Sequence, residues 1–420
     1  MHDPFHRTRA EAFDSADPLS AFPDRFVVAD PDLIYLDGNS LGRCPRATVT
    51  RLRQAVTEEW GRGLIRSWSD WMGLSRRVGD LIGTRILSAR PGEVIISDST
   101  TVNLYKLAAA ALDARPDRRV IVTDDDNFPT DLYVLTGLAA ARGVTLRRVS
   151  ADPNEGLDLT VLRDAVDEDV ALVSLSHVAY RSGALADMAA VTQIAHDAGA
   201  LMLWDLCHSV GAVPVPLTES GADLAVGCTY KYLNGGPGSP AFLYVRAELQ
   251  DRLRQPIWGW FGQTDQFEMA RDYAPAPGID RFLVGTPPVL QAYAVEEGAG
   301  LVAEAGVDRL HAKGMALTSY LIELADEWLT PLGFRVASPR DPARRGSHVS
   351  LHHPAAWQCS QVLIDRAGVI PDYRTPERLR LGPAPLTTSF TQVWDAMDRL
   401  RRLVEAGEHL RYPAEPAKVT

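Results

Sequence analysis

The sequence predicts an α/β protein: a large domain on a mostly parallel sheet, followed by a smaller C-terminal α+β domain. Three observations carry this. Between about residue 90 and residue 245, apolar runs of strand length alternate with helical stretches, the pattern of parallel strands joined by crossover helices. From about residue 308 the texture changes to helices and short strands without that alternation. The chain, at 420 residues, is too long for one core of ordinary size, and 46% of it is apolar.

In chain order, Pro45 opens a helical stretch, "PRATVTRLRQAVTEEWGRG", since proline suits a first helical turn. Strands are expected at "EVIIS", "RRVIVT", "VALVSLS", "ALMLWD", "DLAVGC" and "AFLYV". The helix between the third and fourth, "DMAAVTQIAHDAGA", is periodic and closes on Gly199. The large domain is placed at residues 46–305, behind an N-terminal segment of residues 1–45. Residues 306–412 form the smaller domain. It comprises a long helix, strands "GFRVAS" and "SHVSLHH", a helix from Ala355, a strand near "LRLGPAP" and a helix from Thr391. The tail at 413–420 is expected to be disordered.

Composition removes several functions. The formal net charge is −11, and no segment strings basic residues together with aromatics, which argues against nucleic acid or an anionic membrane as partner. No apolar stretch reaches the roughly 18 residues of a membrane span, and the polar, acidic N-terminus is unlike a signal peptide, so a cytoplasmic protein is expected. Cys44, Cys207, Cys228 and Cys359 lack CxxC spacing and read as reduced structural thiols. The pair His352–His353 reads as a strand end, and no metal site is expected.

Lysine is rare here: only Lys106, Lys231, Lys313 and Lys418. Lys231 follows the apolar run Leu224, Ala225, Val226 and precedes a Gly/Pro cluster, where a buried strand runs into a tight loop. Asp205 lies 26 residues earlier, at the end of the preceding strand unit. Thr100 and Thr101 open a helix whose N-terminus suits a phosphate, although plain capping is the commoner role. Phe128 and Asp131 follow one strand and His208 another. Singly, each is an ordinary turn, cap or core residue. Together, an amine, a carboxylate, a phosphate site and an aromatic ring describe a pocket for pyridoxal phosphate. The amine condenses with the aldehyde, and the carboxylate keeps the pyridine nitrogen protonated.

At these residues the chain resembles the kynureninase family, within the fold type I pyridoxal phosphate enzymes related to class V aminotransferases. The motifs are "YLDGNSLG", "GLIRSW", "FPTDLY", "HVAYRSG", "WDLCHSVGAVPV", "YKYLNGGPGSPAFLYV", "GWFG", "GTPP" and "RLGPAPLTTSF", spread over nearly the whole chain. The resemblance implies hydrolysis of L-kynurenine, or of a ring-substituted relative, to an anthranilate and L-alanine by a homodimer. It implies that Lys231 carries the cofactor, Asp205 bonds its ring nitrogen, and Ser176 and His208 lie beside the ring. Phe128 would stack on the cofactor and Asp131 would sit near its substituents. Thr100, Thr101 and Tyr230 would hold the phosphate, with Trp260 and Thr286 reaching in from the partner subunit. Arg380 would clamp the substrate α-carboxylate, and Asn39, Ser40 and Gln263 would approach the substrate. Tyr230 is the candidate for proton transfer at the substrate carbonyl.

Two departures from the family pattern stand out: Gln263 occupies an expected histidine position, and "DLAHSAG" reads "DLCHSVG" through Cys207 and Val210. Two rival readings remain. A cysteine desulfurase or selenocysteine lyase of the same fold needs a nucleophilic cysteine on a mobile loop, for which Cys359 is the only positional candidate. A catalytically silent binding protein would be favoured by loss of Lys231 or Asp205, and both are present.

Overall fold

The computed structural model describes residues 5–415, so the last five residues of the expected tail lie outside it. Its strands are β1 (Ile34–Tyr35), β2 (Val94–Ser97), β3 (Val120–Asp124), β4 (Thr145–Val149), β5 (Val170–Ser176), β6 (Leu201–Asp205), β7 (Leu224–Gly227), β8 (Ala241–Val245), β9 (Arg335–Val336), β10 (Val349–His352), β11 (Val369–Ile370), β12 (Asp372–Arg374) and β13 (Arg378–Leu381). Seven form the main sheet in the order β2-β8-β7-β6-β5-β3-β4. Strands β3 to β7 run parallel, and β8 is antiparallel to both neighbours. The sheet is thus mostly parallel, as the alternation predicts. Strand β4 is not among the strands the apolar runs predict: it is an edge strand, "TLRRV", in which only Val149 is buried.

Both faces of the sheet are covered, which is why its strands read as continuous apolar runs. On one face Ile96, Val122, Val173, Met202 and Phe242 pack under helices Leu74–Ile86, Met188–Asp197 and Val289–Ala305. On the other, Ile95, Ile121, Leu172, Leu203 and Leu243 pack under helices Thr100–Asp113 and Pro129–Arg142. The parallel strands therefore present their carboxyl ends along one edge, where α/β sheets bind ligands.

The C-terminal part has its own antiparallel sheet, β12-β13-β10-β9, and a third core with helices Val307–Leu324, Ala356–Ala367 and Phe390–Glu405. The last helix starts with a capping box of Ser389 and Gln392. Asp14 also accepts from the N–H groups of Phe390 and Thr391, at 2.6 and 3.0 Å, which fastens the N-terminal helix Arg7–Ser15 to it. Strand β1 pairs in parallel with β11, and Asp37 bridges to Gly382. The segment after β1 is thereby laid beside the end of β13.

Candidate active site

Ser176 and Asp205 end adjacent strands and stand opposite one another in register. Asp205 Oδ1 accepts from the N–H of Cys207 at 2.6 Å, which fixes the carboxylate at the strand end. After β7 the chain turns tightly: Asn234 N donates to Lys231 O at 2.9 Å, Gly235 N to Thr229 O at 2.8 Å, and Thr229 Oγ1 to Pro240 O at 2.6 Å. This turn holds Lys231 over the sheet edge. Lys231 Nζ lies 3.2 Å from His208 Nε2 and 6.0 Å from the ring centroids of both Phe128 and Tyr230.

The other described lysines are engaged elsewhere. Lys106, fully buried, meets Asp98 Oδ2, Ser97 Oγ and Phe282 O at 2.7, 3.0 and 2.7 Å, and Lys313 meets Asp17 Oδ2 at 2.7 Å. Among the described lysines, only Lys231 has no carboxylate partner.

A cavity of about 120 Å³ is bounded by Thr100, Thr101, Phe128, Asp131, Ser176, Asp205, His208, Tyr230 and Lys231, together with Tyr180 and Cys207. A wider one of about 520 Å³ shares Thr100, Thr101 and Tyr230 and adds Thr286 of the same chain. Helix Thr100–Asp113 begins between them, with Ser99 accepting from Val102 N at 3.3 Å. Phe128 is the residue before helix Pro129–Arg142, so Pro129 at its first position and Asp131 in its first turn are explained by helix initiation as well as by chemistry.

The charges in the cavity are tuned by burial. Burial, then the neighbouring Asp205 carboxylate, pushes Asp131 well above the ordinary carboxyl range. Asp131 Oδ2 is buried without a hydrogen-bond partner. Burial, then the positive charges of Lys231 and Arg380, holds His208 well below its usual value. A neutral His208 can accept from the Lys231 amine at Nε2. Burial, then the nearby Cys228 thiol, moves Tyr230 upward, so its phenol stays protonated. An amine beside an aromatic face, two carboxyls with one atom unmatched, and hydroxyls at a helix N-terminus fit pyridoxal phosphate.

Arg380 is 1% exposed. Its Nη1 donates to Tyr180 O at 2.6 Å and its Nη2 to Ser40 Oγ at 3.0 Å, and it forms an ion pair with Asp372. With its amide oxygen turned to the guanidinium, Asn39 accepts from Nε and Nη2 at 2.9 and 3.1 Å. Two glycines permit this approach. A Cβ on Gly382 would stand 1.7 Å from Asn39 Oδ1, and one on Gly42 would stand 2.2 Å from Lys231 O. The motif "YLDGNSLG" thus connects the arginine site to the lysine turn, with Gly42 N donating to Tyr230 O at 2.8 Å.

Arg380, Asn39 and Ser40 reach the cavity only through Tyr180, and two further residues singled out in the sequence, Trp260 and Gln263, line neither cavity within the chain. Trp260 sits in an aromatic cluster with Trp68, Phe261 and Phe267. Gln263 Oε1 accepts from Ala274 N at 2.7 Å, inside its own loop. Conversely, Tyr180, Asp372 and His348 are site residues that sequence reasoning misses. The Tyr180 ring meets Phe128 edge to face at 5.2 Å, and buried His348 lies 5.5 Å from His208. Tyr180 was within reach, since it lies inside the quoted motif "HVAYRSG". His348 carries no local signal.

Behind Asp205, buried His177 packs edge-on to Trp204 at 5.7 Å, and its N–H donates to Asp205 O at 2.9 Å. Burial lowers its pKa to about 4. Its stabilisation is fully present above the unfolded value of about 6.5 and is lost as pH falls from there towards about 4, a change of about 3 kcal/mol. His177→Phe should therefore flatten the acid side of a denaturant-stability profile measured across this window. An unchanged profile would contradict the assignment.

The solved structures found share the fold: a cysteine desulfurase from Thermococcus onnurineus NA1 superposes with a TM-score of 0.75 at 20% identity, covering 90% of this chain and 94% of that one. A cysteine desulfurase of Escherichia coli gives 0.79 at 15% identity, covering 92% and 98%. The fold is that of the fold type I pyridoxal phosphate enzymes. Residues 310–400 match the model of the kynureninase C-terminal domain. The kynureninase of Pseudomonas fluorescens is 46% identical over 402 residues, 94% of each chain, and that of Burkholderia pseudomallei (strain K96243) 46% over 407 residues, 95% of each. The chain belongs to the kynureninase family.

Proposed function

We propose that this protein is a pyridoxal phosphate-dependent hydrolase that cleaves the Cβ–Cγ bond of L-kynurenine, or of a ring-substituted relative, to an anthranilate and L-alanine. The observation that carries the cofactor reading is Lys231, the one described lysine free of a carboxylate, set in a cavity with Asp205, Asp131 and Phe128. Full-length similarity to kynureninases carries the substrate. Bound there, pyridoxal phosphate supplies an aldehyde that takes up amines and a ring that accepts electron density from the substrate α-carbon.

The residues have separate tasks. Lys231 would hold the cofactor through its amine and would serve as the base for the substrate α-proton. Asp205 would hold the ring nitrogen in its protonated form, and Asp131 would sit near the ring substituents. Phe128 would stack on the ring, with Ser176 and His208 beside it. Thr100, Thr101 and Tyr230 receive the phosphate at the helix N-terminus. Arg380 binds the α-carboxylate, which exchanges with the Ser40 or Asn39 contact on the same guanidinium. The Tyr230 phenol, kept protonated by burial, gives a proton at the substrate carbonyl when water adds there.

The desulfurase reading loses its nucleophile. Cys359 is 0% exposed on helix Ala356–Ala367, and burial pushes its thiol up to about 12. Incubation with pyridoxal phosphate and L-kynurenine should release equimolar anthranilate and alanine, and a ring-substituted series should rank the substrates. Sulfur release from cysteine without anthranilate formation would overturn the proposal.

We also propose a cytoplasmic homodimer in which Thr286 and Trp260 complete the partner's site. No helix among the described residues is long and apolar enough to cross a membrane. One loop exposes Trp258, Phe267 and Met269 by 61, 59 and 68%, large apolar side chains that a second copy would cover. Heterodimers of Lys231→Ala and Thr286→Trp chains, each inactive alone, should regain part of the activity if Thr286 acts across the interface. Because Thr286 also borders its own chain's wider cavity, verified heterodimers without recovery would assign it to its own site.

A further inference from the structure

We propose that Cys207 and Cys228 form a reversible disulfide in the floor of the active-site cavity, so that a peroxide can switch the enzyme off. Strands β6 and β7 pair as Leu203↔Leu224, Trp204↔Ala225 and Asp205↔Val226, and the same offset sets Cys207 opposite Cys228 just beyond the strand ends. Neighbouring strands run about 4.8 Å apart, within the roughly 4.4–6.8 Å between Cα atoms that a disulfide spans. The two residues already interlock: Cys228 N donates to Cys207 Sγ at 3.3 Å, and Cys228 Sγ approaches Cys207 O at 3.7 Å.

A small oxidant has access from two sides. Cys207 borders the narrower cavity and Cys228 the wider one. Cys228 lines the wider cavity, and although burial alone would push its thiol up, the neighbouring Cys207 thiol and the Lys231 charge lower it, so its sulfur is placed to react first. The Cys228 sulfur attacks one peroxide oxygen, the O–O bond breaks, and water leaves with a sulfenic acid on Cys228. The Cys207 sulfur then attacks Cys228 Sγ and expels the second water. Two thiols lose two protons and two electrons, and one hydrogen peroxide becomes two waters.

The bond pulls directly on the site. Cys207 N holds Asp205 Oδ1 at 2.6 Å, Cys207 Sγ touches Thr100 Oγ1 at 3.8 Å, and Tyr230 and Lys231 follow Cys228 within three residues. The bond itself does not depend on the proposed function, whereas its effect on turnover does. The purified full chain is treated with hydrogen peroxide, denatured under alkylation and mapped without reduction. We expect the free thiols to fall from four to two and a linked Cys207–Cys228 peptide to appear and vanish on reduction. Turnover should drop roughly tenfold or more and return with the reductant. Cys228→Ser should abolish the linked peptide, and Cys44→Ser, at an exposed position, should leave it in place. Oxidation of Cys44 while Cys207 and Cys228 stay reduced, or sulfinic acid at either without the linked peptide, would overturn the disulfide. A linked peptide with unchanged turnover would overturn the switch.

Discussion

Lys231→Ala should lower turnover by about 10⁴-fold or more, because one amine both anchors the cofactor and moves the α-proton. The protein should still fold. Lys231 is half-buried and its one direct polar contact is with His208, which is neutral and loses little when the amine goes. Visible absorbance from bound cofactor should disappear together with activity, while the far-ultraviolet circular dichroism is retained. Lys106 offers the contrast. It has three partners, the buried Ser97 Oγ, the buried Phe282 O and the partly exposed Asp98, and ties Asp98 to Phe282. Lys106→Met should destabilise the fold by about 1–3 kcal/mol in denaturant titrations, since it leaves the buried Ser97 Oγ and Phe282 O unmatched, yet leave the cofactor's attachment point unchanged. Residual turnover in Lys231→Ala close to wild type would refute the central assignment.

Arg380→Lys should reduce kcat/KM by roughly 10²- to 10³-fold, matching the loss of part of a buried charged network. The guanidinium addresses Tyr180 O, Ser40, Asn39 and Asp372 along different edges at once. An ammonium on a flexible stem cannot reproduce that fork. Every kynurenine analogue shares the α-carboxylate, so the defect should be nearly the same across a ring-substituted series. A variant that reorders the analogues instead would place Arg380 at the aryl end. Gln263, engaged with Ala274 inside its loop, is expected to matter to ring preference only if the partner subunit carries that loop to the aryl end.

Much of this site was readable because strand ends announce themselves. Apolar runs stop, and the polar residue that follows has a predictable position at the sheet edge; Asp205 and Lys231 were found that way. The helix start at Thr100 suggests a phosphate site against plain capping, while the resemblance adds the roles of Asp131 and Arg380, which local pattern alone leaves as a first-turn acid and a surface charge. Asp372 was not readable, because its meeting with Arg380 depends on the antiparallel register of β12 with β13, a pairing fixed by tertiary packing. Strand β4 escaped because an edge strand with one buried residue has no apolar run to show. The dithiol escaped for a related reason: two cysteines 21 residues apart in sequence become neighbours only when β6 and β7 pair.

The central claim is that one particular lysine carries the cofactor. Holoenzyme reduced with borohydride, digested and mapped by mass spectrometry reads this directly. The account requires the pyridoxyl label on the peptide containing Lys231 and on no other. A label on Lys106 or Lys313, or none on a protein that nonetheless releases anthranilate from kynurenine, would contradict it.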